Sequence, residues 1–198
     1  GPDFGLCYNP EFIALGSVIK DFLNPDFYLL GQFDERSGDL LELVHNKVSE
    51  SSSPVQKMNL ENAELAKIAV NSFVTMKISY ANTLADLCEK IPGGDIDVVS
   101  DALGMDSRIG RKYLTGGFGF GGPCFPRDNV ALAFIGSALD SDCSLLKTND
   151  ELNIKGKDLF FPMRLAIYGE CKGPDIPTIY NILGHNEIIS RLNSVIKG

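Results

Sequence analysis

The stretch that decides the fold is NAELAKIAVNSFVTMKISYANTLADLCEK, residues 62–90. Asn59 or Asn62 can cap a helix that begins there, and Pro92-Gly93-Gly94 ends it. Its apolar residues cover more than one face of that helix: Ala63, Ala66, Ile68, Ala69, Phe73, Met76, Ile78, Ala81, Leu84 and Leu87. A helix that is apolar over so much of its circumference is buried on several sides, so we predict the spine of an all-helical domain or of a dimer.

Shorter elements of alternating type precede this helix. Residues 4–8 and 26–31 have the composition of strands, and the spacing of apolar residues over 34–47 predicts a helix. Residues 50–54, with three consecutive serines before a proline, have the composition of a linker. The alternation of strand and helix over the first fifty residues therefore predicts the C-terminal part of an α/β sheet.

Helices dominate the chain after residue 90, with predictions over 95–103, 126–139, 143–157 and 187–196. One further strand is predicted over 164–168. The predicted fold class is α+β and mostly α. We expect the C-terminal part of one α/β domain at 1–54, a central helical domain at 55–157, and the truncated start of another α/β domain at 158–198.

Composition restricts the class of protein. The 198 residues carry a net charge of −8, which disfavours a nucleic-acid partner because a phosphate backbone requires clustered Lys and Arg. No apolar run approaches the ~20 residues that span a bilayer, so we expect no membrane partner. The five cysteines are widely spaced and form no C-x-x-C pair. We therefore expect a reduced, cytosolic protein with neither a disulfide framework nor a metal site.

Gly117 to Gly122 match the dinucleotide-binding pattern G-x-G-x-x-G, but their context does not fit it. That pattern requires a preceding strand and an immediately following helix, whereas here a basic segment precedes and Pro123 follows. We interpret the stretch as a loop whose bare backbone lies against a ligand and places Cys124. A thiol between such a loop and a helix N-terminus is stabilised as a thiolate, which can attack a carbonyl. The alternative is that Cys124 is a small buried apolar side chain without a catalytic role.

Four other polar residues are candidates whose structural alternatives stay open. Lys67 and Asn71 are four apart, so they share a helix face and can stabilise an oxyanion. Alternatively, Lys67 is an exposed lysine and Asn71 is hydrogen-bonded to a neighbouring group. Asp128 can position water, or it can merely complement the dipole of the helix that it begins. Glu11 follows a predicted strand end, where open α/β sheets place site residues, although plain turn chemistry also explains it.

Together these residues resemble the UDP-glucose/GDP-mannose dehydrogenase family over about residues 4–155. The glycine-cysteine segment is the most specific part of the resemblance, whereas residues 164–198 resemble the family only weakly. The matching segments are N-P-E-F at Asn9 to Phe12, A-E-L-A-K-x-x-x-N at Ala63 to Asn71, K-I-S-Y-A-N at Lys77 to Asn82, G-M-D-S-R-I-G at Gly104 to Gly110, and G-F-G-G-P-C-F-P-R-D at Gly119 to Asp128.

The resemblance implies oxidation of a sugar C6 alcohol to a carboxylate with two NAD+. Cys124 would capture the aldehyde as a thiohemiacetal that is then oxidised to a thioester, while Lys67 and Asn71 steady the oxygen at C6. Asp128 would position the hydrolytic water, and Glu11 would accept a proton. The form of the cysteine motif favours a hexose such as UDP-glucose as the sugar.

The resemblance also implies the fold, the partners and the remaining site residues. The central domain would be a dimerisation domain like the C-terminal domain of 6-phosphogluconate dehydrogenase, flanked by partial Rossmann-like pieces. A homodimer would form through the helix at 62–90, with Arg108 reaching the partner's sugar site. Cofactor contacts would fall on Leu15 and Arg127. Substrate contacts would fall on Phe12, Arg108, Tyr113, Thr115, Gly119, Phe120 and Gly121.

Two departures from the family pattern support a competing hypothesis. The family usually has a second acid four residues after Glu11, where this chain has Leu15, so thioester hydrolysis is expected to be slow. The phosphate-binding glycine turn is also missing, so we expect a truncated piece that alone cannot reduce NAD+. The alternative function is a non-catalytic dimerisation module or an inactive homologue. A cysteine hydrolase of another fold has no histidine motif to support it.

Overall fold

The structure is a computed structural model that describes residues 4–14, 16–117, 119–151, 165–167, 169 and 176–196. Within these residues there are three strands: β1 (Cys7–Tyr8), β2 (Tyr28–Gln32) and β3 (Val55–Met58). Its helices are α1 (Val18–Leu23), α2 (Glu35–Val48), α3 (Leu60–Lys90), α4 (Ile96–Met105), α5 (Phe125–Ala138), α6 (Ser144–Glu151), and two near the C-terminus that we number α7 (Ile176–Leu183) and α8 (His185–Ile196). The α+β, mostly helical class is thereby confirmed.

The chain divides into two compact units. The first comprises Gly1–Phe73 and Asp128–Ser141, and the second comprises Val74–Arg127 and Asp142–Gly198. Helices α3 and α5 therefore contribute residues to both units.

The first unit is built on a small mixed sheet in the order β1-β2-β3. Strand β1 runs antiparallel to β2, and β2 runs parallel to β3 with Tyr28 opposite Val55. Strands β2 and β3 are connected through α2, the crossover that a parallel pair requires. Tyr28, Leu29 and Leu30 are buried, as expected for the central strand of a sheet.

Three helices begin at side chains that satisfy their first backbone N–H groups. Asp34 caps α2, Asn59 caps α3 and Asp95 caps α4, accepting hydrogen bonds at 2.9, 3.1 and 2.8 Å. Short polar side chains at this position replace the acceptors that the first turn lacks. The three helix starts are therefore fixed by local chemistry.

Close contact between α3 and the sheet sets the position of the site residues. A Cβ atom on Gly31 of β2 would lie only 2.8 Å from the Cβ of Ala63, so the helix passes where a larger residue cannot fit. Ala63 is completely buried. Lys67 and Asn71 follow at four-residue intervals, which places them on the same helix face as this contact.

Among its described residues, the regular secondary structure of the second unit is helical. In α6, Asn149 donates a 2.9 Å hydrogen bond to the buried hydroxyl of Thr75 in α3. Near the C-terminus, α7 and α8 form a hairpin with a small apolar core of Ile167, Ile179 and Ile188.

The long helix was predicted correctly, and of its two proposed caps, Asn59 and Asn62, the structure shows Asn59. Strand β3 was missed, so the sheet extends beyond the predicted linker at 50–54. The strand predicted over 164–168 is wrong for residues 165–167, which are helical, while Arg164 and Tyr168 lie outside the described residues. None of the described helices combines the length and apolar composition that crossing a bilayer requires.

Candidate active site

Lys67 is held against the segment that follows β1. Its Nζ atom donates a 2.5 Å hydrogen bond to the backbone carbonyl of Glu11 and lies 4.2 Å from the ring centroid of Phe12. Phe12 in turn packs against Phe27, with 5.1 Å between the ring centroids. A carbonyl oxygen and the face of an aromatic ring both attract an ammonium group, so this cation has a defined position.

Asn71 and Asp128 form a second polar contact in the first unit, one helical turn along α3 from Lys67, and we call the two contacts together the polar cluster. The Nδ2 atom of Asn71 donates a 2.6 Å hydrogen bond to Oδ2 of Asp128. Asp128 lies in the first turn of α5 and is only 2% exposed. A buried carboxylic acid group is costly unless it is hydrogen-bonded, so this contact fixes the Asn71 amide and the Asp128 carboxyl together.

His45 contacts the residue that begins the N-P-E-F segment. Its Nε2 atom lies 3.0 Å from Oδ1 of Asn9, and its ring packs 4.2 Å from the ring of Tyr28. Burial lowers the pKa of His45, and the negative charge of Glu11 partly opposes that shift. No sequence motif surrounds His45, so only the structure reveals this contact.

The glycine-rich loop of the second unit begins between two helices. A Cβ atom on Gly116 would lie 2.8 Å from the Cβ of Ala85 in α3 and 2.9 Å from Cγ1 of Ile96 in α4, so only glycine fits there. The N–H of Gly117 donates a 2.9 Å hydrogen bond to Oδ1 of Asn82. Asn82 belongs to the K-I-S-Y-A-N segment, and its role was not predicted.

The predicted substrate contacts of this loop differ in exposure. Tyr113 is 48% exposed with a left-handed backbone at φ 67°, and Thr115 is also exposed. Phe120 is only 4% exposed, so its ring is part of the core. Gly119 and Gly121 lie in irregular backbone, where a loop can offer its amide groups to a ligand.

Cys124 is exposed and immediately precedes α5. A turn over residues 122–124 leads into this helix, and Gly122 has a positive φ of 79°. The predicted placement of the thiol between the glycine loop and a helix N-terminus is therefore confirmed. Arg127, predicted as a cofactor contact, is exposed in the first turn of the same helix.

Lys77 anchors the loop that carries Arg108. Its Nζ atom donates hydrogen bonds to the carbonyl oxygens of Ile109 at 3.0 Å and Gly110 at 3.1 Å, and desolvation lowers its pKa. The Arg108 guanidinium extends from this loop with 86% of the side chain exposed and pairs with Asp106. The anchoring role of Lys77 was not predicted.

The structure brings together only part of the predicted site. Glu11, Phe12, Lys67, Asn71 and Asp128 lie in the first unit, whereas the other described candidates lie in the second. The predicted convergence of Cys124 with the Lys67 cluster stays a prediction. Leu15 lies outside the described residues.

The Gly117–Gly122 match does not have the surroundings of a dinucleotide-binding turn. No strand precedes the Gly117–Gly122 match, and a turn rather than a helix start follows it. The backbone N–H groups that hold a pyrophosphate require that strand-turn-helix arrangement. The described residues likewise contain no group of three or more His, Cys, Asp and Glu side chains arranged to hold a metal ion.

Lys67, Asn71 and Asp128 lie in a segment that matches a known family. The sequence model of the UDP-glucose/GDP-mannose dehydrogenase family, central domain, matches residues 61–155. UDP-glucose 6-dehydrogenase TuaD of Bacillus subtilis is 38% identical over 176 residues, or 89% of this chain and 37% of that protein. The chain belongs to the UDP-glucose/GDP-mannose dehydrogenase family. It spans only about two fifths of the length of the curated relatives it matches.

Two further similarities support membership of this dehydrogenase family. UDP-glucose 6-dehydrogenase of Rickettsia typhi is 38% identical over 89% of this chain and 41% of that protein. The structure of a UDP-glucose dehydrogenase from the archaeon Pyrobaculum islandicum superposes with a TM-score of 0.70 at 36% identity, covering 83% of this chain and 36% of that one.

A second sequence model matches the C-terminal part of the chain. The model of an anticodon binding domain matches residues 144–196 and overlaps the dehydrogenase match over 144–155. The described part of this segment is helical, in α6, at 165–167 and in α7 and α8.

Proposed function

We propose that the protein is part of an NAD-dependent nucleotide-sugar 6-dehydrogenase that oxidises the C6 alcohol of a UDP-hexose such as UDP-glucose to the uronate. The observation that carries this proposal is a pair of short polar contacts at family positions one helical turn apart: Lys67 donates to the Glu11 carbonyl, and Asn71 donates to Asp128. The names of the two curated relatives, both UDP-glucose 6-dehydrogenases, support UDP-glucose as substrate.

Lys67 and Asn71 supply the electrostatic part of the reaction in this proposal. An ammonium group and an amide N–H on one helix face can both donate to the oxygen at C6 as negative charge develops there. Asp128 accepts from the Asn71 amide, which keeps that donor oriented. Donors held in advance require little reorganisation when the charge appears.

Cys124 supplies the covalent part. Its sulfur attacks the C6 aldehyde, the S–C bond forms, and the carbonyl oxygen takes up a proton to give a thiohemiacetal. After the second two-electron oxidation, water adds to the thioester carbon and releases the carboxylate and the free thiol. Glu11 would accept the proton of that water. Leu15, in place of the family acid, would slow this last step.

The hydride acceptor in both oxidations would be NAD+, two equivalents for each sugar. The chain would contribute Leu15 and Arg127 as cofactor contacts, beside the residues that hold the sugar, donate to its C6 oxygen and form the covalent intermediate.

We also propose a cytoplasmic homodimer formed through α3. Large apolar side chains of this helix are exposed, including Phe73 at 60% and Tyr80 at 53%. A surface of this kind is typical of a protein interface. The exposed Arg108 side chain would then extend toward the partner's sugar site.

The test is an assay of the complete protein that contains these residues. We expect two NADH for each UDP-glucose consumed and much slower turnover of GDP-mannose. During turnover, intact-mass spectrometry should detect an acyl group on Cys124 because hydrolysis is slow. Absence of NADH formation with every nucleotide sugar would favour the alternative of a non-catalytic dimerisation module.

A second candidate function is RNA binding by residues 144–196, favoured by the anticodon-binding match. This segment carries six Lys and Arg against six Asp and Glu, so it is neutral while the rest of the chain is acidic. Neutrality gives little attraction for a phosphate backbone, and we rank this candidate second. Binding of labelled tRNA that weakens steeply with salt would support it and overturn our prediction of no nucleic-acid partner.

A further inference from the structure

A buried histidine contacts the first residue of the Asn9–Phe12 segment, whose Glu11 and Phe12 contact Lys67. His45 of α2 is 4% exposed, its ring contacts Tyr28 of the central strand, and its Nε2 atom lies 3.0 Å from Oδ1 of Asn9. Asn9 itself is exposed and follows directly after β1. The contact therefore joins the interior of the first unit to the start of the N-P-E-F segment.

The chemistry of this contact fixes the direction of the hydrogen bond. An amide oxygen can only accept, so Nε2 of His45 carries the hydrogen and donates to Asn9. Burial lowers the pKa of His45 and so favours the neutral ring, with its hydrogen on Nε2. The donor is therefore present without a buried positive charge.

The segment beyond Asn9 determines where the Lys67 ammonium lies. Strand β1 is only two residues long, and residues 9–14 form neither helix nor strand, so their position depends on individual contacts: His45 with Asn9 at one end and the Ala14 N–H with Asp21 at the other. Glu11 presents its carbonyl oxygen, and Phe12 its ring, to Lys67 Nζ. A displacement of the segment at Asn9 would move both groups that contact the ammonium.

We propose that His45 is a positioning residue that fixes the Asn9–Phe12 segment through its N–H donor and thereby sets the position of Lys67. The inference rests on the proposed function in one respect only, the effect on turnover. The position of the Lys67 ammonium can be measured without any substrate.

The activity test uses the complete protein with His45→Leu, which removes the donor, and His45→Gln, which restores an N–H at a similar distance. We expect His45→Leu to lower kcat about 10-fold or more with KM within about 2-fold, because misplacement of a group that acts at the reacting oxygen affects the transition state more than binding. His45→Gln should recover most of kcat. Asn9→Ala should mimic His45→Leu, and the double variant should be no worse than either single variant.

The second test measures the chemical reactivity of Lys67 by reductive methylation with formaldehyde and a borohydride, followed by peptide mass mapping. In His45→Leu and Asn9→Ala, methylation of Lys67 should be several-fold faster because its contacts with Glu11 and Phe12 are loosened. Lys57 is the internal control: it pairs at 2.7 Å with both Asp39 and Glu42 and should react at the same rate in all variants.

The outcomes separate the two hypotheses. Faster Lys67 methylation in a protein without dehydrogenase activity would support the positioning role and refute the proposed function. Unchanged Lys67 methylation in Asn9→Ala, or equal losses of kcat in His45→Leu and His45→Gln, would overturn the positioning role. If His45→Leu does not fold, Asn9→Ala and His45→Gln decide the question.

Discussion

Asp128 is 2% exposed and accepts a 2.6 Å hydrogen bond from Asn71, whereas Cys124, only four residues earlier in the sequence, is exposed. The same contrast extends to their surroundings. The polar cluster of the first unit is held by a helix that packs closely on the sheet, while Cys124 ends a glycine-rich loop. Two residues of one motif thus differ sharply in their exposure to solvent.

The difference follows from what each group is proposed to do. Donors that stabilise charge on an oxygen act best when they are fixed in advance, which requires buried partners. A nucleophile must be reached by its substrate, so it lies on an accessible turn at a helix start. Substitutions in the two regions should therefore separate stability from activity.

The largest effect is expected for Cys124→Ser in the complete protein. Removing a catalytic nucleophile costs on the order of 10³-fold or more in kcat, because a hydroxyl is scarcely ionised at neutral pH. Uronate formation should fail, while the midpoint of thermal unfolding should stay unchanged because the side chain is exposed. Uronate is measured by chromatography and unfolding by calorimetry.

Cys143→Ser is the matched control, since this cysteine is half-buried and was assigned no role. It should retain full activity. A Cys124→Ser protein that still produces uronate at the wild-type rate would remove the nucleophile assignment. A large loss of thermal stability in Cys124→Ser would instead break the contrast between the two regions.

Asp128→Ala should show the opposite pattern, with a clear loss of stability in the present chain. Removing the acceptor leaves the amide of Asn71 without this partner, which costs about 1–3 kcal/mol of unfolding free energy. Asp101→Ala is the control: Asp101 pairs with Arg111 at 2.6 Å but is 66% exposed, so its loss should cost at most about 1 kcal/mol. Urea titration measures both, and equal losses would contradict the rigid-cluster interpretation.

The sequence could predict features that local chemistry determines. A cap at Asn59 or Asn62 and the apolar pattern of residues 62–90 predicted α3, and the glycine-cysteine motif predicted where Cys124 lies. Strand β3 was missed because its stability comes from pairing with β2, which no local pattern reveals. His45 was missed for the same reason, since its partner Asn9 is 36 residues away.

Lys77→Met should have a smaller effect, confined to the loop that carries Arg108. Loss of the ammonium removes two hydrogen bonds to the carbonyls of Ile109 and Gly110, at a cost of about 1 kcal/mol. The loosened loop should then be cleaved several-fold faster by trypsin after Arg108 and Arg111. Lys90→Met, which removes only an exposed pair with Asp86, is the control. Equal cleavage in both variants would refute the anchoring role.

The smallest expected effect is the contribution of His45 to the pH dependence of the unfolding free energy. Its pKa in the folded protein lies below the ordinary value of 6.5 because of burial, despite the opposing charge of Glu11. Between that lowered value and 6.5, the unfolded chain binds more protons than the folded one, so stability falls as pH decreases through this window. Above 6.5 the group has no effect, because neither state is protonated.

His45→Gln removes this titration while keeping a donor for Asn9. The unfolding free energy of the wild-type chain should therefore decline more between about pH 7.5 and 5 than that of His45→Gln. Asp34 and Asp21 also have lowered pKa values, from 3.8, because of hydrogen bonds to Ser37 and Ser17. Their effect appears only below that pH and is common to both chains, so it cancels in the difference. Identical pH dependence in the two chains would show that His45 is not buried in the neutral form. It would then also contradict the contrast with Cys124, which requires the groups that pack around the polar cluster to be fixed.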